Sequence, residues 1–260
     1  MIFESHAHYD DDWYDEDRED LLSNFPKRNV GMVVNVGASI ESSRASLNLS
    51  QKYAHVYAAV GVHPDEVDCL EAEGLDPIRR LLDEPKVVAV GETGLDYYRK
   101  EGTDYKQKQK KWFLQQLELA VEFQKPVIVH SRDAAEDTMN LITTFCNEHP
   151  QWEKRGVIHC YSYSPEMARE YIQMGFYIGV GGVVTFKNAK KLVDTVREIP
   201  LDHILVETDS PYLSPEPFRG QRNESANISY VIDKIAEIKG ISSAEVEQQT
   251  EYNGRQMYGV

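Results

Sequence analysis

Near its start the chain reads "IFESHAHYDD" (residues 2–11), with His6 and His8 one residue apart beside a run of acids. Residues at i and i+2 of a β-strand point to the same side, so two imidazoles at this spacing converge on one spot. Converging neutral imidazoles suit a divalent metal ion. A single pair is not yet a site, and further donors must come from elsewhere. They recur along the chain: His63 in "GVHP", Glu92 in "VAVGETGLDYY", His130 in "PVIVH", His159 in "GVIHC" and Asp209 in "ILVETDSPY".

These donors fall on or just after short apolar runs bounded by turns. The runs are "IFES", "GMVVNVG", "VYAAVGV", "VVAVGE", "PVIVH", "GVIHC", "YIGVGG" and "ILVETD". Their Val, Ile and Ala content fits strands buried on both faces of a parallel sheet. Most are separated by segments of helical periodicity, such as "QKKWFLQQLELAVEFQ" and "SPEMAREYIQMG", the latter opening on a Ser-Pro cap. Eight strands alternating with helices predict an α/β fold, a (β/α)8 TIM barrel, closed by the helices of residues 224–259. In such a barrel the chemistry gathers at the C-terminal ends of the strands. His6, His8, His63, His130 and His159 occupy those positions, whereas His55 and His203 precede strands and His149 lies in a turn.

At 260 residues the chain fits one barrel domain, residues 1–260. Its composition, 41% apolar and 27% charged, is that of a soluble globular protein and excludes a disordered or membrane chain. The apolar runs are too short to span a bilayer and the acidic start lacks a signal-peptide pattern, so a cytoplasmic location and no membrane partner are expected. No obligate protein partner is evident. Cys69, Cys146 and Cys160, without CxxC spacing, are expected to be reduced and mostly buried.

The net charge of -15 is unevenly spread, with nine acids against one arginine in residues 1–20 and six Lys or Arg against two acids in residues 97–111. A protein that coats nucleic acid carries a broad basic face, which this chain lacks. The basic stretch 97–111 reads either as a local phosphate attractant or as a solvated helix face. Arg219 and Arg222 in "SPEPFRGQRNES" follow Asp209 closely and could bind phosphate oxygens. "IGVGGVVT" lies in strand 7, the wrong context for a dinucleotide loop, and no GxSxG elbow occurs.

Four histidines, a glutamate and an aspartate exceed what one tetrahedral ion needs, so two ions are the simpler account. Mixed nitrogen and oxygen donors without thiolate fit zinc, manganese or, where carboxylate dominates, magnesium. The chemistry implied is metal-assisted hydrolysis.

In order along nearly the whole chain, "FESHAHYD", "GVHP", "VGETGLDYY", "PVIVHSRDA", "GVIHCYSYS", "GVGGVVTF", "LVETDSPYLSP" and "RGQRNE" resemble the TatD family of metal-dependent deoxyribonucleases. The resemblance implies a TIM barrel, two divalent ions and hydrolysis of DNA phosphodiesters, often from the 3' end. It assigns His6, His8 and Asp209 to one ion, His130 and His159 to the other, Glu92 to both, and His63 to the scissile phosphate. The catalytic set is then Asp209, Glu92 and His63, with Asp209 positioning or deprotonating the water. Arg132, Arg219 and Arg222 would offset phosphate charge on single-stranded or duplex DNA ends. Glu207, two residues before Asp209, is the alternative carboxylate for activating water. Two positions depart from the family pattern: Glu4 stands where Asp is usual, and Ser225 where Pro is common. The rival readings are a binuclear amidohydrolase acting on a small C–N substrate and a non-catalytic, metal-stabilised binding scaffold.

Overall fold

The eight apolar runs form eight parallel strands, each hydrogen-bonded to the next in chain order. In a computed structural model describing residues 1–98 and 102–260, they are β1 (Ile2–Ala7), β2 (Val30–Val36), β3 (Val56–Val60), β4 (Val87–Asp96), β5 (Val127–Arg132), β6 (Gly156–Ile158), β7 (Phe176–Val180) and β8 (Ile204–Val206). Beyond β8 the chain returns to β1. Ala7 bridges Ser210, the Asp209 N–H donates to the His6 carbonyl (3.0 Å), and the His8 N–H donates to the Ser210 carbonyl (2.8 Å). These contacts close the (β/α)8 barrel that the alternation predicts.

The helices are α1 (Arg18–Asn24), α2 (Ile40–Lys52), α3 (Leu70–Glu73), α4 (Asp76–Leu81), α5 (Thr103–Glu122), α6 (Ala135–Glu148), α7 (Pro165–Gln173), α8 (Lys190–Glu198), α9 (Ile228–Lys239) and α10 (Ser243–Tyr258). Ser164 caps α7 as its Ser-Pro start implies, accepting the Met167 N–H. One apolar layer lies between sheet and helices, and a second fills the barrel with Phe3, Val34, Ala59, Ala89, Ile128 and Leu205. Tyr258 of α10 stacks on Phe3 at 5.7 Å, so the bottom of the barrel is plugged and only its mouth is left for chemistry.

Several strand ends differ from the sequence reading. β4 continues through Glu92 to Asp96, whereas β6 and β8 stop short of His159 and Asp209. The "GG" of "IGVGG" lies past β7, and Gly182 opens a 3₁₀ turn. In the basic stretch 97–111, residues 99–101, with Arg99 and Lys100, fall outside the described residues. Lys108, Lys110 and Lys111 pair with Asp68 (2.8 Å), Asp137 (2.7 Å) and Glu71 (3.6 Å). These three lysines thus form a solvated ion-paired face, not a free phosphate attractant. No described helix is long and apolar enough to cross a membrane.

The β4–β5 pairing depends on Gly94, which lies opposite His130 with φ +143°; a Cβ there would lie 2.0 Å from the His130 carbonyl oxygen. Gly94→Ala should cost at least about 2 kcal/mol through overpacking and backbone strain. Chemical denaturation of the metal-free variant checks this, and an unchanged midpoint would contradict it.

Candidate metal centre

Phe3 points into the barrel, so strict alternation would turn His6 outward. The β1–β2 register shifts between Glu4 and Ala7, and His6 faces the mouth instead. Its Nε2 lies 3.0 Å from His8 Nε2, the convergence that the HxH spacing predicts. Glu4 is wholly buried and ties β1 to the end of β8: it accepts the Thr208 N–H (2.9 Å), the Thr208 hydroxyl (2.6 Å) and the His6 N–H (3.1 Å). Glu4 therefore positions the His6 backbone and not its ring. Burial pushes its carboxyl up to about 8 despite these bonds. Ser225, the other departure, donates its N–H to the Tyr9 hydroxyl (2.8 Å), a bond that proline cannot make.

Glu92 sits at the centre, and the peptide bond before it is cis. Its two oxygens face different neighbours. Oε2 lies 3.4 Å from His6 Nε2 and 3.6 Å from His8 Nε2. Oε1 lies 2.9 Å from His130 Nδ1, 2.8 Å from His159 Nε2 and 3.7 Å from His63 Nε2. Asp209, held at φ +57°, brings Oδ1 within 3.6 Å of His6 and 3.5 Å of His8. The result is overlapping donor clusters: His6, His8 and Asp209; His63, Glu92 and His130; and, deeper, His6, His159 and Glu207.

Without cations, these carboxylates are balanced by protons. Burial opposes ionisation of Glu92, yet His159, His63 and the bonds from His130 and His159 hold it well below the usual carboxylate range. Burial works against a charge on His8, but Asp209 and Glu92 raise it to about 10. His130 is raised to about 9, against burial, by Asp96 and Glu92. His6 goes the other way, lowered to about 4 by burial and by His159. Buried imidazole nitrogens crowded round carboxylates, with nitrogen and oxygen donors and no thiolate, fit borderline divalent ions such as zinc or manganese. Cys160 supplies no thiolate because burial pushes its thiol well above the usual range. It lines the cleft just past β6 and is half-buried, where the sequence reading expects the cysteines to be mostly buried.

The imidazoles differ in what supports them from behind. His8 Nδ1 meets the Val36 carbonyl at 2.7 Å, and His130 Nε2 meets Asp96 Oδ2 at 3.0 Å. His6 Nδ1 and His159 Nδ1 are buried without a hydrogen-bond partner among the described residues. His63 is different again: its Nδ1 accepts the Asp65 N–H (3.1 Å), which leaves the proton on Nε2, pointing at Glu92. Burial lowers His63 to about 3, so it is a neutral N–H donor at the mouth.

His8, His63, Glu92, His130, His159 and Asp209 line an open cleft of about 740 Å³, and Arg132 lines it too, its guanidinium 3.7 Å over the Tyr98 ring. Arg219 and Arg222 do not line it. Arg219 stacks on Phe186 (4.2 Å). Arg222 is tied to Asp17 (2.5 and 2.8 Å) and the Trp13 carbonyl (2.7 Å), so the phosphate role expected of it meets a guanidinium already engaged. Glu207, the alternative carboxylate for activating water, is fully buried beneath the histidines, away from the cleft lining, and burial raises it to about 7. Sequence reading missed Asp96 and the acidic rim of Asp10, Asp11, Asp65 and Glu66. The Asp in "GLDYY", four residues after Glu92, is a signal that could have found the first.

Ligand histidines must be neutral, so loading the centre at neutral pH should release protons from the raised imidazoles of His8, His130 and His159. Calorimetric titration in buffers of different ionisation enthalpy measures this. Uptake without proton release would contradict the balance described.

The TatD related DNase family profile matches residues 3–259. The chain is 40% identical over 261 residues to the uncharacterized metal-dependent hydrolase YabD of Bacillus subtilis (strain 168), covering all of both chains. It is 31% identical to the 3'-5' ssDNA/RNA exonuclease TatD of Citrobacter koseri, covering 94% of each. The crystal structure of YjjV, a TatD homolog from Escherichia coli K12, matches with a TM-score of 0.91 at 29% identity, covering 100% of this chain and 98% of that one. Likeness that runs through strands, helices and loops alike, and not through the donor motifs alone, is the mark of common descent: the chain belongs to the TatD family of metal-dependent hydrolases.

Proposed function

We propose that the protein is a deoxyribonuclease that shortens DNA from the 3' end, using two divalent ions at the barrel mouth. The observation that carries the two-ion reading is the division of Glu92, with one oxygen toward His6 and His8 and the other toward His130 and His159. In this assignment His6, His8 and Asp209 would hold one ion, His130 and His159 the other, and Glu92 would serve both. When bound, the pair supplies Lewis acidity that activates water and offsets phosphate charge.

The remaining work falls to the chain. His63 donates its Nε2–H to a phosphate oxygen, and Asp209, lining the cleft, orients the water and takes its proton. Arg132 binds phosphate on one flank, with its flat face against Tyr98. Elsewhere along the cleft lining, Asp10, Asp11, Asp65 and Glu66 repel a polyanion. That asymmetry favours a strand end entering past Arg132 over a duplex lying across the mouth. The exonuclease named in the Citrobacter koseri relative supports the same direction of attack and makes RNA a necessary comparison.

The test supplies metal-loaded protein with end-labelled single-stranded DNA, duplex DNA, RNA and a panel of amides. A ladder of 3'-shortened DNA products is expected; breakage of amides alone would replace the reading with an amidohydrolase. Asp209→Asn should slow cleavage about 10²- to 10⁴-fold, and saturating metal should not restore the rate. Arg132→Ala should raise KM and flatten its salt dependence, because one phosphate contact is lost. Arg222→Ala, already tied to Asp17, should leave KM and its salt dependence unchanged.

A further inference from the structure

Beneath the mouth lie three buried polar atoms without partners among the described residues: His6 Nδ1, His159 Nδ1 and Glu207 Oε2. A buried polar group left without a partner is destabilising, so three at one place need an explanation. The three residues that carry them are neighbours. Donor atoms of His6, His159 and Glu207 all lie within 4.8 Å of one another, and His159 Nδ1 is 3.8 Å from Glu207 Oε1.

We infer that Glu207 is a shared positioning carboxylate beneath the centre, accepting the Nδ1–H of both His6 and His159 and so fixing one imidazole from each metal set. The assignment of the two sets rests on the two-ion reading above. A ligand imidazole uses one nitrogen for the ion and carries a proton on the other, which needs an acceptor to fix the ring. His6 and His159 turn Nε2 toward Glu92, so Nδ1 is the nitrogen left over. His8 and His130 already have such acceptors in Val36 and Asp96, whereas His6 and His159, whose rings stack at 4.0 Å, share Glu207 as the carboxylate within 4.8 Å.

The capacity matches. A carboxylate has about four acceptor sites, and among the described residues one is in use, by the Cys160 N–H at 2.5 Å on Oε1. The soft terminal torsion of a glutamate closes the remaining gaps. The backbone makes room for it: a Cβ on Gly179 would lie 2.5 Å from Glu207 Oε2. The first glycine of "IGVGG", no part of a dinucleotide loop, clears space for this carboxylate.

One carboxylate under two sets ties their affinities together. The decisive experiment titrates metal-free parent, Glu207→Gln and Asp96→Asn with Mn²⁺, and records histidine ¹⁵N spectra of each protein loaded with Zn²⁺. Gln keeps the acceptor for the Cys160 N–H and the packing, so a merely structural role survives it. Glu207→Gln should weaken both ions about 10- to 100-fold, whereas Asp96→Asn, serving His130 alone, should weaken one. In the parent, Nδ1 of His6 and of His159 should each hold a slowly exchanging proton, and in Glu207→Gln at least one should exchange rapidly. Parent-like affinity for both ions in Glu207→Gln, or weakening of only one, overturns the inference. A parent that takes up a single ion overturns the two-ion reading alone, and the spectra then decide on Glu207. They also decide if Glu207→Gln does not fold, because an unprotonated Nδ1 on either ring of the parent overturns the assignment.

Discussion

A single buried carboxylate organises this barrel. Glu92 is 4% exposed and still held ionised, which a protein core tolerates only where positive charge surrounds it. Imidazoles from β1, β5 and the ends of β3 and β6 converge on it. The geometry of each strand end is thereby constrained: the register shift in β1 turns His6 inward, and Asp209 adopts a left-handed backbone to bring its carboxylate alongside. Protons on His8 and His130 are one solution to that charge problem, and divalent cations are the other.

Below the mouth the barrel separates stability from chemistry. Phe3, Ile128 and Leu205 fill the lower interior, and Tyr258 plugs it. Between that apolar floor and the centre lies a layer of buried carboxylates with positioning roles: Glu4 joins the first strand to the last through Thr208, and Glu207 underlies His6 and His159. Burial raises both, in contrast to Glu92 and Asp209, which the imidazoles lower. Position within the barrel, more than residue type, decides which acids stay charged.

The sequence made much of this legible, because apolar runs identify parallel strands and strand ends identify the mouth. His6, His8, Glu92, His130, His159 and Asp209 meet there as their positions along the runs imply. What spacing could not reveal was the set of contacts behind each ring. Asp96 and Val36 reach His130 and His8 from neighbouring strands, and no periodicity in one strand encodes a partner in the next. The arginines were opaque for a similar reason. Proximity to Asp209 in the chain suggested phosphate binding, but Arg222 is engaged by Asp17, which lies 205 residues away in sequence. Strand limits were also indistinct, since hydrogen bonding stops β8 at Val206 although the apolar run leads on toward Asp209.

The central claim is that Glu92 is shared between two ions, and anomalous diffraction from manganese-loaded crystals tests it most directly. The account predicts two peaks about 3.5–4 Å apart, one beside His6, His8 and Asp209 and one beside His130 and His159, each in contact with one oxygen of Glu92. A single peak, or a pair that Glu92 does not touch, would contradict it.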